Sequence, residues 1–265
     1  MYEILRNLRR GAKVLDLGSS TGSFTASDFL EIIVIRLDNK PVPTDDPRGI
    51  VQGDAARLPF SDRSFDAVIA NHSLEHVADL DRTIEEIARV VRSDGALYVA
   101  VPDASTFTDR VYRWLHHGGE HVNAFVSAPQ LNGLIAEKTG LRLVATRTLY
   151  SSLTFLCRRH YGPRPPRKLW LFGNGNLRFL VAVNYALRLC DRAFSTRLSV
   201  YGWAFYFGRI MEPVETRPWT NVCANCGAGH SAASLHTNGW VREWTWPRSY
   251  ACPACRGWNV FTKDG

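Results

Sequence analysis

The sequence has 265 residues, enough for one full hydrophobic core and one small additional module. It has no basic-then-apolar leader and no apolar run near the ~18 residues that cross a bilayer, so we expect a soluble, cytoplasmic protein. The formal charge of +7 is uneven: residues 1–140 carry net −5, residues 141–215 net +9 and residues 216–265 net +3.

The stretch VLDLGSSTGSF, residues 14–24, is the first informative one. An apolar run ends in Asp16, a glycine-flanked turn follows, and a helix is expected to start near Thr21. Gly18 and Gly22 allow the backbone to approach a ligand closely, and the free N–H groups of a helix start favour an anionic group such as a carboxylate. The stretch predicts a nucleotide pocket, with an ordinary turn between a strand and a helix as the alternative.

Acidic residues follow three successive predicted strands. Strands are predicted over Val14–Leu17, Ile32–Leu37, Gly49–Gly53 and Phe65–Ala70, with a helix over Thr25–Leu30. The second strand ends at Asp38, whose carboxylate can accept both hydroxyls of a ribose, although a simple turn acid before Pro41 is an equal alternative. Asp54 and Ala55 leave the third strand at the same sheet edge. Together with Asp16, these acids favour the ligand crevice of an open α/β sheet.

Several segments together resemble a known enzyme family. They are VLDLGSSTG, the acid that ends the second strand, GDAARLPFSDRSFDAVIANHSLEHV and RVVRSDGALYVAVP. Over roughly residues 14–102 they resemble a class I S-adenosylmethionine-dependent methyltransferase of the type 11 subgroup. The resemblance implies a doubly wound, Rossmann-like α/β fold with a seven-stranded sheet, and S-adenosylmethionine as the cofactor. Ser20 departs from the pattern, since it replaces the middle glycine of the first loop.

The resemblance also assigns cofactor contacts residue by residue. The loop from Gly18 to Gly22 would face the methionine part of the cofactor, Asp38 the ribose, and Asp54 with Ala55 the adenine. Asn71 would lie beside the methyl-bearing sulfur. The full predicted cofactor-binding set is Asp16, Gly18, Ser19, Ser20, Gly22, Asp38, Asp54, Ala55 and Asn71.

The second half of the sheet is predicted from periodicity and caps. We expect an amphipathic helix over Asp79–Val91 that ends at Gly95, a strand over Ala96–Val101, a helix opened by Ser127 and closed by Gly140, and strands over Leu141–Leu149 and Ser199–Gly208. In the family that the sequence resembles, the last two strands form a hairpin, so the last strand would be antiparallel. The stretch 107–119 gives no clear pattern.

An insertion over residues 151–198 separates those two strands, where a tight turn is the common solution. It holds the basic segment RRHYGPRPPRK and a predicted helix over Asn176–Arg192. Its polar residues, which fall on one arc of the helix, are Arg178, Asn184, Arg188, Asp191 and Arg192. Two interpretations stay open: the helix caps the active site, or residues 158–192 lie on the inner face of a membrane with arginines at the headgroups.

Four cysteines near the C-terminus form two C-x-x-C pairs: Cys223, Cys226, Cys252 and Cys255. Two such pairs place four thiolates at tetrahedral reach of Zn²⁺, and intracellular metal binding explains them better than disulfides. A structural zinc in a zinc-ribbon module is favoured over a docking module, and four protein ligands leave no open position for catalysis. The spacer segment TNGWVREWTWP predicts a hairpin with Trp240, Trp244 and Trp246 on one face, and Cys157 and Cys190 are expected to be buried, inert thiols.

Methyl transfer to oxygen requires alignment of the nucleophile with the methyl carbon, and it benefits from a general base. His121 is the predicted base, and His76 is the second candidate, expected to shape the pocket floor. We expect residues 1–215 to form an S-adenosylmethionine-dependent methyltransferase domain and 216–265 a zinc-ribbon module. The expected acceptor is an oxygen of a sugar, glycan or lipid-linked intermediate. Alternatives are an RNA methyltransferase that holds phosphates with the +9 segment and the ribbon, and a non-catalytic cofactor-binding scaffold.

Overall fold

The computed structural model describes residues 1–19, 22–41, 49–115, 121–161, 163 and 165–263. The chain divides into two compact units. The first comprises Met1–Asp103, Glu120–Arg147 and Trp203–Thr216, and the second comprises Ala104–Gly119, Thr148–Gly202 and Arg217–Gly265. The expected division into a domain over 1–215 and a module over 216–265 stays a prediction.

A seven-stranded mixed sheet carries most of the first unit. Its strands are β1 (Lys13–Leu17), β2 (Ile33–Asp38), β3 (Ile50–Gln52), β4 (Phe65–Asn71), β5 (Val91–Pro102), β6 (Leu143–Tyr150) and β7 (Val200–Gly208). The strand order is β3-β2-β1-β4-β5-β7-β6, and β1 to β5 pair in parallel. Gly208 N donates to Arg142 O, and Ser151 N donates to Ser199 O at the other end, so β7 runs antiparallel to β6. The expected doubly wound, Rossmann-like sheet is confirmed.

The described part of the chain has six α-helices, and four of them begin at a side chain that accepts from the N–H groups of the first turn. The six helices are α1 (Tyr2–Leu5), α2 (Leu80–Val90), α3 (Phe107–Leu115), α4 (Ala128–Thr139), α5 (Leu177–Phe194) and α6 (Ala232–Thr237). The Asp79 side chain accepts from Arg82 N at the start of α2, and the Ser127 side chain caps α4 in the same way. Gly140 ends α4 in the left-handed region at φ +67°, which only glycine adopts without strain.

The core of the first unit lies on the central strands. Residues such as Leu15, Val68 and Leu97 come from β1, β4 and β5 and are fully buried. Ile84 and Ile87 of α2 belong to the same hydrophobic cluster. Parallel strands are covered on both faces, which is why their sequences are nearly all apolar. Burying each such side chain contributes about 1.5–3 kcal/mol to folding.

The segment after β1 differs from the prediction. A 3₁₀ helix over Ala26–Phe29 replaces the expected helix over Thr25–Leu30. The Asp16 carboxylate accepts from Ser23 N, and β2 begins at Ile33, so only a short segment between these two residues can be helical. Thr21, where the helix start was expected, lies outside the described residues.

The boundary between α2 and β5 also differs. Val91 already has extended backbone and pairs with Phe65, so β5 begins there rather than at Ala96. Gly95 does not end the helix. It lies inside β5, next to a register shift on β4, and a Cβ there would stand 2.9 Å from the carbonyl oxygen of Asp66. The glycine therefore serves the close approach of two strands at a β-bulge.

Two helices outside the sheet show how buried polar residues obscure a pattern. In α3, Thr108 and Asp109 are buried, whereas the apolar Phe107 and Trp114 are exposed. In α5, Asn184 and Arg188 are buried, whereas Phe179 and Leu189 are exposed. Two of the five residues on the polar arc of this helix are therefore buried.

The C-terminal segment of the second unit forms two small sheets. Its strands are β8 (Asn221–Val222), β9 (Gly229–His230), β10 (Val241–Arg242), β11 (Ser249–Ala251) and β12 (Trp258–Val260). The hairpin was expected within residues 237–247, but β10 pairs antiparallel with β11, which follows that stretch. Trp244 and Trp246 are exposed, while Trp240 is half-buried under the guanidinium of Arg256, 4.3 Å from its ring centre. The three tryptophans, which were expected on one face, therefore differ in how far they are exposed to solvent.

Helix α5 packs against this C-terminal segment inside the second unit. Val181 forms a hydrophobic cluster with Ala224 and Val260. The Cys157 thiol donates to the carbonyl of Ala224, and burial raises the pKa of that thiol. Cys157 is buried as expected, but Cys190 is only half-buried. Among the described residues, no helix is long and apolar enough to span a bilayer.

Candidate functional site

The loop after β1 folds so that only glycine fits at its ends. Gly18 has φ +63°, and its N–H donates to Leu37 O on β2. A Cβ at Gly18 would lie 2.5 Å from Cβ of Ser73, which follows β4. Gly22 has φ +115° and donates to Ser19 O at 2.7 Å. The loop therefore lies against the end of β4, with its backbone free of side chains at both glycines.

The Asp16 side chain holds this loop in place by a hydrogen bond to its backbone. The side chain is buried, and its Oδ2 accepts from Ser23 N at 2.9 Å. Burial raises the pKa of the Asp16 carboxyl, which the hydrogen bonds from Ser23 partly offset. Its Oδ1 and the Ser73 hydroxyl are buried and have no hydrogen-bond partner among the described residues. Buried polar atoms are normally satisfied, so these two atoms fit a polar ligand held over the loop.

The next two acids stand together at the edge of the sheet. Asp38 O accepts from Gly53 N at 2.9 Å, which brings the ends of β2 and β3 side by side. Asp38 Oδ1 accepts from Lys40 N, and Asp54 Oδ1 accepts from Ala56 N. Both carboxylates thus shape a local turn. This turn role is compatible with a second role in ligand binding, because a carboxylate accepts several hydrogen bonds.

The remaining predicted cofactor residues lie along the same edge. Ser19 is buried in the loop, Ala55 is half-buried after β3, and Asn71 is the half-buried last residue of β4. Ser20 lies outside the described residues. The described members of the predicted set therefore meet at the carboxyl ends of β1 to β4, where open α/β sheets bind ligands.

The two histidines predicted for catalysis come together beside this edge. The rings of His76 and His121 are 4.9 Å apart between centres, at an angle of 70°. Glu75 joins them, since one ligand atom from each of the three residues lies within 4.8 Å of the others. His76 is exposed and His121 is half-buried, so a small molecule can reach both rings.

Three residues of this edge are not indicated by sequence patterns: Ser73, Glu75 and Asn123. Glu75 is buried although it is charged, and it occupies a turn that directly follows a buried strand. The sequence feature that could have indicated a role for Glu75 is an acidic residue next to a histidine, directly after a buried strand. Asn123 carries none, because its importance comes from long-range hydrogen bonds.

The four cysteines of the C-terminal segment form a metal-sized cluster. The Sγ atoms of Cys223 and Cys255 are 3.6 Å apart, and those of Cys226 and Cys252 are 3.7 Å apart. Four sulfurs bound to Zn²⁺ at about 2.3 Å stand about 3.8 Å from one another in tetrahedral geometry. The donor set and the spacing therefore fit a structural zinc ion.

Amide groups around the cluster favour the thiolate form. Asn225 N and Asn259 Nδ2 donate to Cys223 Sγ at 3.4 and 3.2 Å, and Asn225 Nδ2 donates to Cys255 Sγ at 3.3 Å. The pKa of the Cys223 thiol is lowered, chiefly by the hydrogen bond from Cys226 and further by these amides. Such outer donors orient the ligands of a metal.

Comparison with known proteins gives a family for part of the chain. Residues 15–99 match the family described as "Methyltransferase domain". A malonyl-[acyl-carrier protein] O-methyltransferase from Methylococcus capsulatus is 33% identical over 130 residues, 44% of this chain and 47% of the relative. A demethylmenaquinone methyltransferase from a Mycobacterium species is 38% identical over 117 residues, 40% of this chain and 47% of the relative. The chain spans about half the length of the curated relatives it matches.

A solved structure shares the fold over a longer range. The YcgJ protein from Bacillus subtilis has a TM-score of 0.52 at 17% identity and covers 79% of this chain and 99% of its own. At this identity the likeness shows the fold alone. The family match covers β1 to β4, α2 and most of β5, the elements that build the loop and the acidic edge.

Proposed function

We propose that this chain, which carries a class I S-adenosylmethionine-dependent methyltransferase domain, transfers a methyl group to an oxygen of a small-molecule acceptor. One observation carries the proposal. The buried, half-satisfied Asp16 carboxylate supports a glycine loop against Ser73, within the residues that match the methyltransferase family. This arrangement provides backbone and polar contacts for a ligand at the ends of β1 and β4.

The cofactor would be held by residues of four strand ends. The loop between Gly18 and Gly22 would face the methionine part, and Asp38 the ribose. Asp54 and Ala55, which follow β3, would contact the adenine. When bound, the cofactor supplies a methyl group already activated on a sulfonium, so these residues mainly orient it and exclude water.

The acceptor would be bound on the side of Asn71 and the histidine pair. His121 is proposed to accept the proton of the acceptor hydroxyl, and His76 to line the floor next to it. Their rings are adjacent and reachable from solvent. A well-placed base of this kind contributes about 10²–10⁴-fold to a rate.

The names of the relatives limit the chemical class of the methyl acceptor only in general terms. Their names give a malonyl-acyl-carrier protein and demethylmenaquinone as acceptors, and no relative cited here is named for a sugar or glycan. The sugar, glycan or lipid-linked acceptor expected from the sequence stays the narrower candidate. Its support is the insertion, which exposes apolar side chains such as Trp170 and Leu171.

The RNA alternative receives less support from the arginines of residues 141–215, the part of the chain that carries net +9. Several of them donate to the protein itself: Arg158 to Tyr161 O, Arg159 to Asn225, Arg188 to Ser151 O and Arg147 to Glu3. Burial lowers the pKa of Arg188 to about 10. A phosphate-binding surface needs cations that project into solvent. Part of the +9 charge instead belongs to arginines that form hydrogen bonds within the protein.

A labelled-methyl experiment tests the function. The protein is incubated with S-adenosylmethionine carrying a labelled methyl group and with a cell lysate, which is then separated into glycolipid, RNA, protein and small-molecule fractions. Label in the small-molecule or glycolipid fraction supports the proposal, whereas label in RNA overturns it.

Two further measurements separate catalysis from binding. A chain that binds the cofactor by calorimetry but labels no fraction would be a cofactor-binding scaffold. His121→Gln is expected to keep cofactor affinity and to lower turnover by about 10²–10⁴-fold. Full turnover in this variant would remove His121 from the proposed proton transfer.

A further inference from the structure

Glu75, His76 and His121 form a cluster that includes the two histidines assigned above to the acceptor side, together with a buried carboxylate to which no role has been given. We propose that these three side chains bind a first-row divalent metal ion beside the cofactor crevice, at a site separate from the four cysteines. A carboxylate and two imidazoles are a ligand set suited to zinc, iron, cobalt or nickel. This assignment does not depend on the identity of the acceptor.

The distances are compatible with a site that closes on its ion. One ligand atom from each residue lies within 4.8 Å of the others. Two ligands at about 2.1 Å from one ion are about 3.0–3.4 Å apart, so the three atoms must approach one another by an ångström or so. His76 is exposed, which leaves its ring room to turn.

Glu75 gives the independent reason to place a cation here. Its side chain is 1% exposed, and its Oε2 has no hydrogen-bond partner among the described residues. His72 Nδ1 lies 3.6 Å from the other oxygen, beyond a good hydrogen bond. A buried carboxylate is costly unless a cation or several donors compensate it, and a metal ion bound through Oε2 would do so.

Asn123 fixes the two segments that carry the ligands. Its side chain donates to the carbonyls of Leu74 and Val77, and its backbone N–H donates to the carbonyl of Glu75. These three bonds tie the turn after β4 to the segment that starts at His121. The ligands are therefore held near one another before any ion binds, which is what a metal site requires of its supporting residues.

The position of the cluster beside the cofactor loop suggests a role for the metal ion in binding the acceptor. Ser73 touches the loop at Gly18, and Glu75 follows two residues later, so the ion would lie next to the cofactor loop. Three protein ligands leave at least one position open for an oxygen of the acceptor. A metal-bound hydroxyl would lose its proton to solvent water more readily, so the ion would activate the acceptor in place of His121, which would then be a ligand and not the base.

Metal content of the purified full-length protein tests the site directly. The protein is stripped, reconstituted with Zn²⁺, dialysed and analysed for zinc per chain. Wild-type protein is expected to keep one more equivalent than Glu75→Gln and than the double variant His76→Asn/His121→Asn. The cysteine cluster is intact in all three, so its zinc cancels in the difference. His160→Asn, which changes a histidine in the second unit, is the matched control and should match the wild type.

Two further readouts exclude indirect effects. Asn123→Ala leaves every ligand in place and is expected to weaken zinc binding by about 10–100-fold, as loss of a supporting residue does. Co²⁺ bound at this site should give no thiolate charge-transfer band, unlike Co²⁺ at the cysteines. Equal zinc content in the wild type and in variants that still bind S-adenosylhomocysteine would overturn the proposal. Loss of turnover in His121→Gln at unchanged metal content would then assign His121 to proton transfer alone.

Discussion

Gly18 shows how one residue decides whether the cofactor loop can form. Its φ of +63° and the 2.5 Å separation between a Cβ there and Cβ of Ser73 both oppose any side chain. We expect Gly18→Ala to destabilise the protein by about 1–3 kcal/mol and to weaken cofactor binding. Denaturant titration and calorimetry measure the two effects.

A second glycine provides the control. Gly133 lies within α4, and nothing stands within 4 Å of a Cβ there. Gly133→Ala should therefore stabilise the protein by about 0.5–1 kcal/mol without changing cofactor affinity. If Gly18→Ala behaved like Gly133→Ala, the close packing of the loop against Ser73 would be wrong.

Asp38 allows its two interpretations to be separated. Asparagine keeps the side-chain oxygen that accepts from Lys40 N, so Asp38→Asn should preserve the turn and the melting temperature. It cannot accept two ribose hydroxyls as a carboxylate does, and we expect cofactor affinity to fall by about 1–3 kcal/mol. Wild-type affinity in Asp38→Asn, with loss of stability only in Asp38→Ala, would leave Asp38 as a turn acid.

At the residue scale, the sequence predicts the site where local patterns suffice. Acids and glycines that end apolar strands are visible one strand at a time, and parallel pairing then brings them together. Glu75 escapes such reasoning because a charged residue is expected at the surface. Its backbone carbonyl accepts from Asn123 N, 48 positions later in the chain, and no local pattern connects these two residues.

At the scale of elements, the cysteine cluster should hold the C-terminal strands together. These strands have two or three residues each and enclose a small hydrophobic cluster, so a zinc ion would supply much of their stability. We expect Cys226→Ser, or removal of zinc by a chelator, to abolish amide protection in β8 to β12. Hydrogen exchange should also rise near Val181 of α5, which packs on Ala224, while β1 and β4 stay protected.

Cys190→Ser is the matched control, because Cys190 lies outside the cluster and is half-buried. It should leave the exchange pattern unchanged. Equal protection in Cys226→Ser and Cys190→Ser would show that the metal is not needed for this segment.

The end of α5 offers a pH-dependent element. Asp191 accepts from the hydroxyl and N–H of Ser199, the N–H of Leu198 and the hydroxyl of Thr196. Burial alone would raise the pKa of Asp191, but these hydrogen bonds, led by those from Ser199, hold it below the ordinary value of 3.8. Its contribution to stability is therefore complete above that value and is lost as the pH falls towards the folded-state pKa.

Asp191→Asn tests this contribution. We expect the variant to be less stable than the wild type by about 1–3 kcal/mol near neutral pH, because an amide repels one of the donors. The difference should be constant from pH 7 to pH 5 and shrink below about pH 4, in denaturant titrations at each pH. Glu137→Gln, at an exposed position of α4, should change stability by less than about 0.5 kcal/mol. A difference that grew on acidification would contradict the assignment.

Helices and strands are predicted correctly from the sequence where burial of apolar side chains alone determines the local structure. Strands β1 and β4 are apolar on both faces and allow few other structures. Helix α5 was predicted, but its sequence did not indicate that Arg188 is buried and donates to the carbonyl of Ser151. Periodicity reports which residues share a face, and it does not report which face is covered.

At the scale of the whole molecule, charge and exposed apolar groups decide what the protein contacts. The excess positive charge lies in residues 141–215, and Trp170 of this segment is 75% exposed. If residues 158–192 meet an anionic membrane, Trp170→Ser/Leu171→Ser should reduce partition onto anionic vesicles by about tenfold or more, from the loss of buried apolar area. Trp246→Ser, at a tryptophan 98% exposed in the C-terminal segment, should not. Equal partition of both variants and the wild type would end the membrane interpretation.

The packing of α5 on the C-terminal segment has a consequence for biosynthesis. Val181 leaves the ribosome about forty residues before Ala224, and about eighty before Val260, which join it in one hydrophobic cluster. During that interval the apolar side of the new helix is not covered. The covering segment is expected to fold only when zinc binds its four cysteines, and the last of these, Cys255, is translated about seventy residues after Val181. In a cell short of zinc, nascent chains would then accumulate in which the early strands have paired but the apolar side of α5 is still exposed. Chaperones and proteases would bind such chains.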